Sequence, residues 1–285
     1  MIRRQRMYAL FLHRFEDFFT SFFATNIIKG ASLAASRLEA DILLHIFDDL
    51  NKFMTEEWPF IPSLNPPYID GIIFGDVNGH RSCLDVVAAK GVPFIVLNNN
   101  FAESINCVSI NNRDATRQLT ESLIALGHEK IAIINGNLRT HAGFERLAGF
   151  KDALKAHNIN VPGSYIKNGE FLRSLSRIAA EELLKLKDRP TAIFAASDVM
   201  AMEAIDVIRL NNLKVPEDIS VFGFDNFPLN IYSKISLSTV SQPLEEMGRL
   251  GVEALNQIVS KQIKPPFKRE LQAQVMQRDS CAKLI

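Results

Sequence analysis

Four groups of polar or aromatic residues in this chain follow directly on short apolar runs. Asp225-Asn226 comes after ISVFGF, and Ser197-Asp198 after TAIFAA. The segment GNLRTHAGFER (136–146), ending in Arg146, comes after KIAIIN, and Gly169-Glu170-Phe171 after Tyr165-Ile-Lys-Asn. An unpaired buried carboxylate is costly, so Asp225 caps something, turns outward or holds a partner. The others also have structural readings beside functional ones. Asp198 fits an N-cap that accepts a backbone N–H at a helix start. Arg146 flanks the stripe Leu147, Phe150, Leu154 and fits a solvated or ion-paired cation. Phe171 fits a core position, and Asp225 with Asn226 fits a turn. What unites them is placement at the carboxyl ends of strands, where open α/β sheets bind ligands. The chemistry this predicts is binding rather than catalysis. No G-x-G-x-x-G, G-x-x-x-x-G-K-[ST], H-E-x-x-H or G-x-S-x-G motif supplies a reaction, and the six histidines form no i, i+4 pair.

The elements that must position these residues alternate along the chain. Strands are predicted at 8–12, 41–47, 71–74, 93–97, 130–135, 191–196 and 219–224. Helices are predicted at 22–39, 82–90, 114–126, 144–157, 175–187, 198–211 and 244–262. Strand then helix, repeated, means βαβ units and parallel sheets. Two doubly wound sheets fit better than a (β/α)₈ barrel, for which an eighth regular unit is lacking. Prolines 59, 62, 66 and 67 make 48–70 a loop-rich excursion. In the helix after Asp198, the residues Glu203, Asp206 and Arg209 share a polar face, leaving Ala201, Ala204, Ile205 and Ile208 for the core. Gly127 suits a left-handed C-cap, and Asn211-Asn212 ends the 198–211 helix.

Composition narrows the function classes. Of the 285 residues 47% are hydrophobic, ample for a core, and 32 basic residues balance 32 acidic ones. A free-standing nucleic-acid binder shows a basic excess, which this chain lacks. Cys83, Cys107 and Cys281 are far apart, odd in number and without C-x-x-C spacing. That argues against a zinc site and a disulfide framework, and suits a reducing cytoplasm. The apolar run near the N-terminus, Tyr8 to Leu12, is too short for a signal-peptide core, and no run reaches the length of a membrane span. The expectation is a soluble, cytoplasmic protein with no cofactor and no metal.

Longer strings carry a resemblance. ESLIALGHEKIAIING (121–136), ERLAGFKDAL (145–154), PTAIFAASDVMAMEAI (190–205), VPEDISVFGFDN (215–226), LSTVSQPLEEMG (237–248) and VMQRDS (275–280) are similar to the effector-binding core of the LacI/GalR family of bacterial transcription regulators. SFFATNIIKGASLAA (21–35) resembles that family's first helix.

The resemblance implies an α/β, periplasmic-binding-protein-like fold, with two doubly wound parallel-sheet subdomains and a ligand cleft between them. It places residues 1–126 plus 242–268 in the first subdomain and 127–241 plus 269–285 in the second. It makes Arg146 and Asp225 a polar clamp and Phe171 an aromatic floor. Phe22 and Phe23 become apolar contacts from the first subdomain, with Ser197, Gln242 and Asp114 as further contacts. A guanidinium fork and a carboxylate can fix neighbouring hydroxyls while an aromatic face covers C–H surface. The partners implied are a small-molecule effector (sugar, sugar phosphate or purine), a second copy of the chain, and operator DNA through a helix-turn-helix domain that the chain lacks.

Three features depart from the family pattern: the missing helix-turn-helix, extra residues in LHRFEDFFTSFF, and Asn111-Asn112 in place of Asp-Asn. A transporter-associated sugar-binding protein, which needs export, and an enzyme on the same scaffold, which needs turnover, are the alternative readings.

Overall fold

Apolar strands need cover on both faces, and the helices that alternate with them supply it. The computed structural model describes residues 4–13, 21–48, 67–75, 77, 81–100, 104–228 and 235–284. Most of the expected 48–70 excursion and part of the LHRFEDFFTSFF segment lie outside these. In chain order the elements are β1 (Arg6–His13), α1 (Phe22–Arg37), β2 (Ala40–Phe47), β3 (Gly71–Phe74), α2 (Arg81–Ala89), β4 (Phe94–Leu97), β5 (Cys107–Ile110), α3 (Asn112–Ala125), β6 (Ile131–Asn135), α4 (His141–Ala156), β7 (Ile166–Asn168), α5 (Arg173–Leu184), β8 (Ala192–Ala195), α6 (Asp198–Leu210), β9 (Ser220–Phe222), β10 (Thr239–Ser241), α7 (Leu244–Val259), β11 (Lys268–Leu271) and β12 (Gln274–Met276).

The chain divides into two compact units, residues 1–110 with 243–271 and residues 111–242 with 272–285. The first boundary was expected after residue 126. It falls at 110/111 because α3 packs along α4, where Gly149 lets the helix backbone approach the Arg113 carbonyl. The first unit holds a six-stranded sheet in the order β11-β5-β4-β3-β1-β2, parallel throughout. Tyr8 to Leu12 of β1, between β3 and the edge strand β2, are fully buried.

The second unit is built on the parallel order β7-β6-β8-β9, with β6 and β8 buried along their whole length. An antiparallel ribbon of β10 and β12 lies beside the end of β9, through bridges Phe222–Ser238 and Asp225–Ser241. The C-terminal segment closes this unit. Val221 N donates to Ser280 O at 2.8 Å, and Leu284 N to Leu126 O at 2.8 Å. Buried His128 joins Thr191 Oγ1 (2.9 Å) and Ala282 O (3.1 Å) beneath the sheet, and burial holds its pKa below the usual imidazole value.

Two local expectations change. The N-cap of α6 is Ser197, whose hydroxyl accepts from Met200 N, and Asp198 is instead the first helical residue. Glu203 does not join Asp206 and Arg209 in solvent. It is 7% exposed and paired with Arg173 (2.7 Å) and Arg177 (3.5 Å), the first opening α5 and the second one turn on. Gly127 has φ +90 and Asn212 φ +58, as their C-terminal roles require.

Candidate functional site

Each of the four strands β6, β7, β8 and β9 delivers a group at its carboxyl end. After β6 the chain turns at Gly136 into α4, which carries Arg146 on its inner face, 3% exposed. Its Nε donates to Asn112 Oδ1 at 2.9 Å, and its Nη1 to Ala196 O at 2.5 Å. The guanidinium lies over the Phe224 ring, 3.6 Å from its centroid, and 5.9 Å from that of Phe171. These contacts set the fork in one orientation, and the cation–π contact over Phe224 compensates part of its desolvation. The flanking, solvated arginine of the sequence reading is thus a buried, positioned one.

After β7, Glu170 (φ +54) and Phe171 (φ +62) are both left-handed, an arrangement that costs about 1–3 kcal/mol per non-glycine residue. Asn168 and Glu170 brace the turn by hydrogen-bonding each other through their side chains. The turn lays the Phe171 ring on Gly136, so closely that a Cβ there would fall within the ring.

Asp225 follows β9 with φ +128 and is held by its own N–H to Val240 O at 2.8 Å. Gln242 Nε2 donates to Asp225 Oδ1 at 2.5 Å. Burial pushes the Asp225 pKa up to about 7. The Arg146 charge pulls it down, and neighbouring Asp198 adds to the rise. The site therefore sets a carboxylate that titrates near neutrality beside a permanent cation. Two buried polar atoms at its edges, Gln242 Oε1 and Asn112 Nδ2, have no hydrogen-bond partner among the described residues.

Of the residues singled out from sequence, the fold brings together Arg146, Asp225, Gln242 and Phe171. Ser197 stands next to the Ala196 carbonyl that holds Arg146, its hydroxyl engaged as the α6 cap. Asp114 lies apart in this respect, half-exposed on the first turn of α3, bound by Arg117 (2.7 Å) and Gln118 (2.6 Å). Phe22 and Phe23 belong to the other unit, where they open α1 behind the Ser21 cap. Sequence reasoning missed Asn112 and Phe224. Gly223 is the signal for Phe224, because it ends β9 before the aromatic and frees that ring to leave the strand pattern.

Comparison with known proteins gives three likenesses. Residues 120–281 match the model of the periplasmic binding protein-like domain family. The chain is 32% identical over 268 residues to the "Probable HTH-type transcriptional repressor ExuR" of Bacillus subtilis (strain 168), covering 93% of this chain and 77% of that protein. Among solved structures, a transcriptional regulator CelR–cellobiose complex superposes with TM-score 0.87 at 26% identity, covering 97% of this chain and 85% of that one. A LacI-family regulatory protein from Chloroflexus aggregans does so with TM-score 0.86 at 26% identity, covering 97% and 98%. Against several further curated relatives the chain spans between 52% and 66% of their length.

Proposed function

This chain belongs to the LacI/GalR family of transcriptional regulators, and we propose that it is the effector-binding and dimerisation core of one, taking a small polyhydroxy ligand on the strand ends of its second unit. The observation that carries this reading is the convergence of Arg146, Asp225 and Gln242 beside the Phe171 face, with buried atoms on Asn112 and Gln242 that have no partner among the described residues. A sugar matches each part. Vicinal hydroxyls bridge a guanidinium donor and a carboxylate acceptor, and the C–H face of the ring covers an aromatic. A ligand hydroxyl close to Gln242 would offset the cost of leaving its Oε1 unpaired. The solved CelR complex holds cellobiose, which supports a sugar over other effector classes. The relatives are named as transcriptional regulators, not enzymes. Operator recognition is left to a helix-turn-helix segment, and the effector changes operator affinity through this core.

A thermal-shift screen tests the reading, with D-ribose, cellobiose, uronic acids, sugar phosphates and nucleobases as probes. A binder at 100 times its dissociation constant stabilises the fold by about 2.7 kcal/mol. Stabilisation by a sugar, lost in Asp225→Asn, is the expected result. Stabilisation by nucleobases alone would replace the sugar assignment with a purine one, and no response across the panel would remove the effector reading.

A further inference from the structure

Asp198 is a buried carboxylate that the site as described does not use. It is 1% exposed, at the start of α6. Its Oδ1 accepts from Thr239 Oγ1 at 2.6 Å, its Oδ2 accepts from Phe227 N at 2.7 Å, and its own N–H donates to Phe224 O at 2.7 Å. These partners bracket Asp225: Phe224 precedes it, Phe227 follows it, and Thr239 stands on the strand alongside. The Thr239 hydroxyl also accepts from Asn226 N at 3.2 Å, so one side chain ties Asp198 to the residue after Asp225. The bracketed backbone is strained, with φ +128 at Asp225 and +60 at Asn226, and persists only where its surroundings over-determine it. Gly223 completes the fit, since a Cβ there would collide with Asp198 Oδ1.

We propose that Asp198 is a positioning residue for effector binding, a clasp that holds the left-handed Asp225–Asn226 turn and so aims the Asp225 carboxylate at the ligand. The proposal rests on the effector reading above. A helix-start aspartate would favour α6 through the helix dipole alone and have no hold on Asp225. The charged groups around the pair are Arg146 from α4, facing Asp225, and Arg278, which faces Asp198 and donates to Asn226 Oδ1 at 2.7 Å, while the neutral Gln242 after β10 donates to Asp225. Within that set Asp198 is the like charge that raises the Asp225 pKa.

The test is Asp198→Asn. An asparagine has one acceptor oxygen where Asp198 serves two donors, so either the Thr239 hydroxyl or the Phe227 amide loses its partner. Three readouts follow. Carboxyl ¹³C titration is expected to show the Asp225 midpoint moving to lower pH in the variant. Amide exchange at Asn226 and Phe227 is expected to speed up while β6 and β8 stay protected. Affinity at pH 8, where Asp225 is ionised in both proteins, is expected to fall roughly tenfold for a sugar that stabilises the wild type, the loss typical of one charged hydrogen bond. Thr239→Val keeps both carboxylates and is expected to repeat the exchange and affinity effects if Asp198→Asn does not fold. An unchanged Asp225 midpoint with unchanged exchange, or full affinity in a variant whose turn has loosened, overturns the clasp. A wild type that binds no sugar overturns the effector reading instead, and the titration and exchange still decide the clasp.

Discussion

Asp225 holds its proton in the folded protein at pH values where an unfolded chain has already lost it. Its pKa is about 7 in the fold, against ~3.9 for an unperturbed aspartate. A raised carboxyl pKa contributes stability that is full below the unfolded value and is lost as pH rises through the folded one. Asp225→Asn is therefore expected to gain on the wild type in melting temperature between about pH 4 and pH 7, and to hold that gain above. The variant should bind a sugar roughly 10- to 100-fold more weakly, and the wild-type affinity should rise with pH through about 7 as the acceptor ionises. Melts and titration calorimetry from pH 4 to 8 check both. Arg146→Ala is expected to lose binding and apo stability together, because it strips Asn112 Oδ1 and Ala196 O of their donor and uncovers Phe224. Sequence showed that Arg146 and Asp225 follow strand ends. It did not show that Arg146 is buried, because that depends on Asn112, which is 34 residues away in the chain and reaches it only through the α3–α4 packing.

Helices and strands divide by how much of their own pattern they carry. β3 was legible in full, and β1, β2, β4, β6 and β8 to within a few residues, because continuous apolar runs flanked by helices have no other economical burial. β5, β10, β11 and β12 were not predicted. Three of these are short or largely exposed at their sheet's edge, as with Lys268–Leu271, and they are strands by virtue of pairing rather than pattern. The same scale governs the aromatic floor. Gly136→Ala is expected to lift Phe171 off its seat and weaken sugar binding severalfold, with little further loss once Phe171→Leu is present. A double-mutant cycle measures this, and equal losses in both backgrounds would show that the glycine acts on the turn and not on the ring. Ser197→Ala removes the α6 cap and is expected to cost about 1 kcal/mol in denaturant unfolding.

For the molecule as a whole, the family reading predicts a two-fold dimer in which α1 takes part. Leu33 and Leu38 on that helix and near its end are 44% and 36% exposed, and Leu44 on edge strand β2 is 36% exposed. Sedimentation at micromolar concentration is expected to give twice the chain mass, and Leu33→Glu to shift it towards the monomer. With 32 positive and 32 negative side chains, these 285 residues are expected to show no salt-sensitive, sequence-specific retention of duplex DNA.

The tail that closes the second unit has a consequence for biogenesis. Ser220 and Val221 of β9 bond residues 280–282, which are made long after that strand, and Leu126 receives its bond from Leu284. The first unit likewise needs α7 and β11 from 244–271. Neither unit can complete its hydrogen bonding on the ribosome until residues 243–284 have left the exit tunnel, at a synthesis rate of about 5–20 residues per second. Both halves therefore wait as open sheets, with strand edges unpaired, until that stretch has emerged. Nascent chains arrested near residue 240 should be held by chaperones, and emergence of residues 243–284 should restore protease resistance to both units in one step.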